Sequence, residues 1–220
     1  MKVLSGISVL ALLIAGAATP SFATSLTPGS VVTPATTSAT GASELANTGA
    51  VAFSFGGDTG SVQEVVVNNY SGNPFGAGDI SFIYQVQVTG GNIDNLTTGM
   101  FNVPGISIDV VQIGLSIDGS ITSTTGYTSA ATASLTSDGS TLGWGFTPPD
   151  GLTPGMTSYA LIINTNLTTF EPGVFSLQDD QTQNFDGYVP AATPEPSTLS
   201  LLGTGLLAAG AGLRRKMRRA

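Results

Sequence analysis

Apolar and polar side chains alternate with a period of two through the middle of this 220-residue chain, and this pattern constrains the fold more than any other feature. The clearest row of alternating apolar side chains is Phe82, Tyr84, Val86 and Val88. Successive side chains of a β-strand point to opposite faces of the sheet, so the row predicts a strand with one buried face. Within residues 49–189, no long window has the three-and-four spacing of an amphipathic helix.

Other segments predict strands by the same alternation, namely residues 51–55, 142–146 and 159–163. Between residues 106 and 117 the apolar row changes phase at Val110 and Val111, which indicates a β-bulge or a strand buried on both faces. Residues 174–177 predict an additional strand at the edge of a sheet.

Asp-Gly pairs separate these segments, and their glycines supply the positive φ that a tight turn requires. The pairs are Asp118-Gly119, Asp138-Gly139, Asp150-Gly151 and Asp186-Gly187. Short strands with turns at this spacing are typical of all-β domains, and we expect about eight to ten strands. The expected fold is an antiparallel β-sandwich, jelly-roll or immunoglobulin-like, over residues 49–189.

The distribution of charge excludes nucleic acid as a partner. All fourteen carboxylates lie between Val3 and Leu213, a region without Lys, Arg or His, and the net charge of the chain is −8. Without cations this region cannot neutralise phosphates and release their counterions. Cysteine is absent as well, so the core rather than disulfides must stabilise the fold.

The same composition argues against catalysis. Histidine and cysteine, the usual general base and thiol nucleophile, are missing from the chain. The carboxylates are spread through the sequence, and no pair is singled out by spacing as the two acids of a glycoside hydrolase. We therefore expect that the protein is not an enzyme. It is either a structural matrix protein or a module that binds carbohydrate or calcium.

We expect no cofactor, and calcium is the more credible ligand because it needs only oxygen donors. The candidate ligands are Asp94, which lies between Asn92 and Asn95, and the pair Asp179 and Asp180. Neither group has the spacing of the EF-hand calcium loop. The alternative is that these side chains serve the backbone geometry of turns.

Aromatic residues that could form a carbohydrate platform are Trp144, Tyr70, Tyr127 and Tyr159. Trp144 is in register with Leu142 and Phe146, so the alternation places it in the core. An exposed Trp144 would favour carbohydrate binding, whereas a buried one would favour a structural role.

The first residues have the features of a secretory signal peptide, residues 1–23. Lys2 precedes an apolar stretch, and the small residues Ser21 and Ala23 predict cleavage after Ala23 by signal peptidase. The alternative is an uncleaved N-terminal anchor. Residues 24–48 are rich in Ser, Thr and Pro, and they form either a flexible stalk or an irregular lead-in that lies against the domain.

The C-terminal region combines a rigid tripeptide, an apolar run and a basic cluster. Residues 190–198 form a linker that contains Pro194, Glu195 and Pro196, and the uncharged run extends from Leu199 to Leu213. As a helix this run is roughly 22 Å long, which flanking residues can extend toward a hydrocarbon core of about 30 Å. The cations within residues 214–220 are Arg214, Arg215, Lys216, Arg218 and Arg219. Because cations favour the cytoplasmic side, we expect a single transmembrane helix with a basic cytoplasmic tail.

This arrangement resembles the PEP-CTERM sorting domain of exported bacterial proteins. Pro194, Glu195 and Pro196 match its signature, and the apolar run and basic cluster follow in the expected order. The resemblance implies that an exosortase, a membrane-embedded cysteine transpeptidase, recognises the tripeptide and removes the helix. It also implies that a membrane-anchored precursor is delivered to the cell surface or the extracellular matrix, where exopolysaccharide is a candidate partner.

Overall fold

The computed structural model describes residues 24–38, 41–117, 121, 126–146 and 151–192, and over these residues the fold is all-β without a helix. It contains sixteen strands there, five of them only two residues long. The strands are β1 (Ser25–Leu26), β2 (Val31–Val32), β3 (Ala35–Thr36), β4 (Ser43–Asn47), β5 (Val51–Phe55), β6 (Asp58–Asn68), β7 (Ser81–Gly90), β8 (Asn95–Thr98), β9 (Ile108–Ile113), β10 (Tyr127–Thr128), β11 (Thr132–Leu135), β12 (Leu142–Gly145), β13 (Thr157–Ser158), β14 (Ala160–Thr165), β15 (Phe170–Gln178) and β16 (Thr182–Pro190).

These strands form two sheets. Sheet A has ten strands in the order β1-β9-β14-β7-β13-β10, with β3 beside β9 and β6 beside β7. Strands β4 and β5 both pair with the outer side of β6. Sheet B has six strands in the order β16-β15-β8-β12-β11-β2.

Both the number and the direction of the strands depart from the expected pattern. Most pairs are antiparallel, but β10 runs parallel to β13 and β3 runs parallel to β9. The sheets are therefore mixed, and the prediction of a wholly antiparallel arrangement was wrong. Strand number exceeds the predicted eight to ten because residues 25–47 add four strands and residues 127–158 add the two-residue strands β10 and β13.

One apolar core lies between the two sheets. Side chains from both sheets are buried in it, because their strands alternate and each turns one face inward. Sheet A contributes Val62, Val66, Phe82, Tyr84, Val86, Val110, Leu161 and Ile163, and sheet B contributes Leu96, Leu135, Leu142, Trp144, Phe175, Leu177 and Phe185.

The opposite face of sheet A also carries buried apolar side chains, which form a second cluster. Its members include Val65, Val67, Ile83, Val111, Ile113, Ala160 and Ile162. Strand β9 is therefore buried on both faces, which explains the phase change at Val110 and Val111. Strand β7 is buried on both faces over most of its length, so the prediction of one buried face was wrong for this strand.

The Ser/Thr-rich residues 25–47 contact the rest of the fold through backbone hydrogen bonds. Strand β1 pairs with β9, β2 pairs with β11, and β4 pairs with β6.

Two local predictions near the chain end were wrong. Asp186-Gly187 does not form a turn, because both residues lie inside β16. Residues 174–177 belong to β15, which lies between β16 and β8 instead of at the sheet edge. By contrast, Gly139 has a φ of 71°, as the predicted Asp138-Gly139 turn requires.

Candidate functional site

The predicted targeting residues lie outside the described part of the chain. This holds for Ala23, for Pro194, Glu195 and Pro196, and for residues 199–220. Among the described residues, no helix is long and apolar enough to cross a membrane.

The structure buries the tryptophan that was considered as a carbohydrate platform. Trp144 is 0 % exposed and packs between the sheets, opposite Ala133 on β11 and Leu96 on β8. Tyr70 is also buried, and Tyr127 and Tyr159 are half-buried. Trp144 therefore presents no flat face to a carbohydrate.

The calcium candidates lie at one end of sheet B. Asp94 directly precedes β8, and Asp179 and Asp180 directly follow β15, which is the neighbour of β8. The backbone N–H of Asp94 donates to the carbonyl of Gln178 at 3.0 Å. Even so, no group of three or more His, Cys, Asp or Glu in the described ranges is placed to hold a metal ion.

Sequence analysis missed a buried carboxylate, Glu64, that joins the two sheets. Glu64 lies on β6 with its side chain in the core, 0 % exposed. Its Oε1 accepts a hydrogen bond from the Tyr84 hydroxyl at 2.8 Å, and its Oε2 accepts one from the backbone N–H of Tyr188 at 2.8 Å. Since Glu64 belongs to sheet A and Tyr188 to sheet B, the carboxylate joins them directly.

Burial controls the ionisation of this group. It raises the pKa of Glu64 from its ordinary value of 4.5 to about 7, because the charged form loses its hydration. The hydrogen bonds from Tyr188 and Tyr84 act in the opposite direction, since they stabilise the carboxylate. Burial, together with the neighbouring Glu64, raises the pKa of Tyr84 well above its ordinary value. The Tyr84 hydroxyl also lies 3.2 Å from Oγ1 of Thr98 on β8.

Aromatic rings pack beside this network and shield it from water. The ring of Phe175 lies 5.5 Å from that of Tyr84, edge to face, and stacks on Phe185 at 5.3 Å. Gly187 completes the packing: a Cβ there would meet Oε2 of Glu64 and lie 2.6 Å from Cδ1 of Phe175. Only glycine fits, which explains why an Asp-Gly pair occurs inside a strand.

A groove of about 800 Å³ opens beside the Glu64 network, where the edges of the two sheets meet. We call it the seam groove. One wall is formed by β16 together with Pro172 of β15, and the other is formed by β5 and the residues before it. Its lining residues are Asn47, Thr48, Val51, Ala52, Pro172, Gln183, Asn184, Phe185, Asp186, Gly187 and Tyr188.

A second polar network lies on the outer face of sheet A. Asp109 on β9 accepts a hydrogen bond from the Asn164 amide at 2.9 Å, and Asn164 accepts one from the Ser81 hydroxyl at 2.7 Å. Asn73 donates to the Ser81 hydroxyl oxygen at 3.2 Å. Burial raises the pKa of Asp109, and the hydrogen bond from Asn164 opposes this shift. The network connects the loop that contains Asn73, between β6 and β7, to the adjacent strands β7, β14 and β9.

The chemistry available to Glu64 is structural. Its pKa would suit an acid–base group near neutral pH. However, Tyr84 and Tyr188 occupy one oxygen each, and the side chain has no exposed surface. A substrate atom therefore cannot reach the carboxylate, and its role is to hold the two sheets together.

Comparison with known proteins identifies the C-terminal segment. Residues 192–216 match the family model of the PEP-CTERM protein-sorting motif. The chain thus carries this motif, which marks an exported protein that an exosortase processes, and the predicted resemblance is confirmed. No curated protein and no solved structure matches the chain.

Proposed function

We propose that this chain is a non-enzymatic protein of the cell surface or extracellular matrix. It has a β-sandwich domain, residues 24–192, which we call the body, and a removable membrane anchor. The signal peptide, residues 1–23, directs export and is cut after Ala23. The apolar helix of residues 199–213 then holds the precursor in the membrane, with the basic cluster in the cytoplasm. Exosortase recognises Pro194, Glu195 and Pro196 outside the membrane and separates the body from the helix.

The observation that carries this proposal is the PEP-CTERM match at residues 192–216. The order of its parts supports it physically. Prolines keep the tripeptide extended and poor in backbone hydrogen bonds, which suits entry into a processing enzyme. Arg214 and Arg215 directly follow the apolar run and oppose passage of the chain end across the membrane.

A structural role for the body is favoured over carbohydrate or calcium binding. The burial of Trp144 supports it, because an aromatic platform needs an exposed ring. The absence of His and Cys from the whole chain supports a role without catalysis. A body whose charges are all carboxylates stays soluble and repels other anionic polymers, so contact with an acidic polysaccharide would stay loose.

Intact mass spectrometry of the protein released from the cell surface tests the proposal. We expect a chain that begins at Thr24, ends near Pro196 and lacks all five C-terminal cations. A matched variant with Pro194→Ala, Glu195→Ala and Pro196→Ala should keep the apolar helix and stay in the membrane fraction. A wild-type mass that includes Arg214 to Arg219 would show a permanent anchor and contradict sorting.

A further inference from the structure

Strand β16 forms one end of sheet B and is long for an edge strand. Among the described residues it pairs only with β15, over nine consecutive residue pairs and without a bulge. An uncovered edge of this length presents unpaired N–H and C=O groups, which can pair with another strand.

The bond between Tyr188 and Glu64 reveals which backbone groups face outward. Tyr188 lies opposite Pro172 on β15, and its N–H donates to Glu64 instead of to β15. Pro172 and Tyr188 are therefore a non-hydrogen-bonded pair of the antiparallel ladder. Such pairs recur at every second residue, so Asp186, Asn184 and Thr182 also direct their backbone groups away from β15.

The outward-facing edge is closed at one end and open at the other. Glu64 already takes the N–H of Tyr188, and Pro190 has no N–H to offer. The outward N–H and C=O groups of Thr182, Asn184 and Asp186 pair with no described strand. Asn184 and Asp186 line the seam groove, which has room for an extended segment beside them, and Thr182 directly precedes the lining residue Gln183.

The opposite wall and the charges define what fits. Val51 is 36 % exposed, and the half-buried Tyr188 lines the β16 side of the groove. Alternate apolar side chains of an incoming strand would pack against them. The charged side chain in the lining is Asp186, and no Lys, Arg or His occurs between Val3 and Leu213. A second copy of the body would thus bring only like charge, whereas a basic segment would complement the groove.

We propose that the seam groove binds an extended, basic peptide segment of a partner protein, which adds as a strand to β16 at Thr182, Asn184 and Asp186. Main-chain hydrogen bonds to these three residues supply affinity, and the apolar wall selects side chains at alternate positions. This interaction is independent of sorting, which involves Pro194, Glu195 and Pro196.

Peptide binding to the full chain in detergent micelles tests the proposal. The probe is a capped nine-residue peptide of alternating valine and lysine. Its two controls are a valine–glutamate peptide and a valine–lysine peptide that is N-methylated at every second residue. We expect amide NMR shifts confined to β16 and the facing β5, and at least tenfold weaker binding of both controls. Equal binding of the N-methylated peptide would show attraction by charge alone and overturn the proposal.

A pair of proline variants separates pairing from folding. Asn184→Pro removes an outward N–H, which an edge strand tolerates, and should weaken peptide binding at least tenfold. Val31→Pro is the matched control on the opposite edge of sheet B: Ser30 accepts the N–H of Leu135, so the N–H of Val31 also points outward. The control should bind like the wild type. Unchanged binding by Asn184→Pro, or wild-type self-association in sedimentation that Asn184→Pro abolishes, would contradict a partner peptide at this edge.

Discussion

At the scale of single residues, the two sheets are joined by one carboxylate whose environment opposes its charge. Glu64 accepts one hydrogen bond from Tyr84 in its own sheet and one from Tyr188 in the other sheet, and its side chain has no exposure to water. The sequence contains a sign of this position, because Glu64 shares the phase of Val62 and Val66 in a strand. The sequence does not reveal the hydrogen-bond partner in the other sheet, because Tyr188 is 124 residues away from Glu64.

We predict that acidification stabilises the protein through Glu64. A pKa raised from 4.5 to about 7 means that the folded state binds a proton that the unfolded state releases between these values. The free energy of unfolding should therefore rise as pH falls from 8 toward 5, by at most about 3 kcal/mol. Urea denaturation at several pH values measures this slope.

Two variants test whether Glu64 causes this pH dependence of the free energy of unfolding. Glu64→Gln should remove most of it, leaving the smaller contribution of Asp109, whose pKa burial also raises. Glu44→Gln, at an exposed position on β4, should retain the wild-type slope. An identical slope in wild type and Glu64→Gln would show that the carboxylate is not the responsible group.

At the scale of strands, burial on both faces distinguishes the centre of sheet A from the simple alternation of the sequence. Strand β9 could be interpreted in this way because its apolar residues occupy both phases. Strand β7 could not, because Gln85 looks like a solvent-facing residue. Its amide is instead buried and donates to the carbonyls of Leu115 and Ser158, at 3.0 and 3.1 Å. These hydrogen bonds offset the cost of burying the amide, and their acceptors are backbone carbonyls that lie far from Gln85 in the sequence.

Strand β12 places the single tryptophan at the centre of the core, and we predict a large cost for its removal. Trp144→Ala should lower the free energy of unfolding by about 4 kcal/mol, because it leaves a large cavity between the sheets. Urea denaturation followed by far-UV circular dichroism measures the loss. The control Val174→Ala, at a side chain that is 47 % exposed, should cost less than about 0.5 kcal/mol. A loss below about 1 kcal/mol for Trp144→Ala would contradict its burial and make Trp144 a candidate for carbohydrate binding again.

At the scale of the whole molecule, the body contains carboxylates but no cations to pair with them. Its charges therefore repel one another, and its stability rests on the core and the backbone ladders. The same one-sided charge argues against nucleic acid and acidic partners and makes a basic peptide the better match for the seam groove.

We predict that salt stabilises the full chain. Between about 20 and about 300 mM NaCl at pH 8, the melting temperature in detergent should rise by a few degrees, because screening weakens repulsion between carboxylates. Calorimetry measures the shift, and KCl should give the same result. A falling melting temperature would reveal favourable ion pairs that the sequence excludes from the body. A greater rise with CaCl₂ than with MgCl₂ would instead indicate a specific calcium site, for which Asp94, Asp179 and Asp180 are the candidate ligands.

The sequence by itself determined the all-β class, the positions of the most regular strands and the C-terminal sorting motif. Each of these depends on near neighbours: a period of two, a turn residue, or a tripeptide followed by an apolar run and cations. Only the tertiary structure decided that Glu64 bonds to Tyr188, that Gly187 sits inside a strand and that β16 leaves an edge open. These features depend on which strands lie side by side, and pairing between residues far apart in the chain leaves no periodic sign in a single sequence.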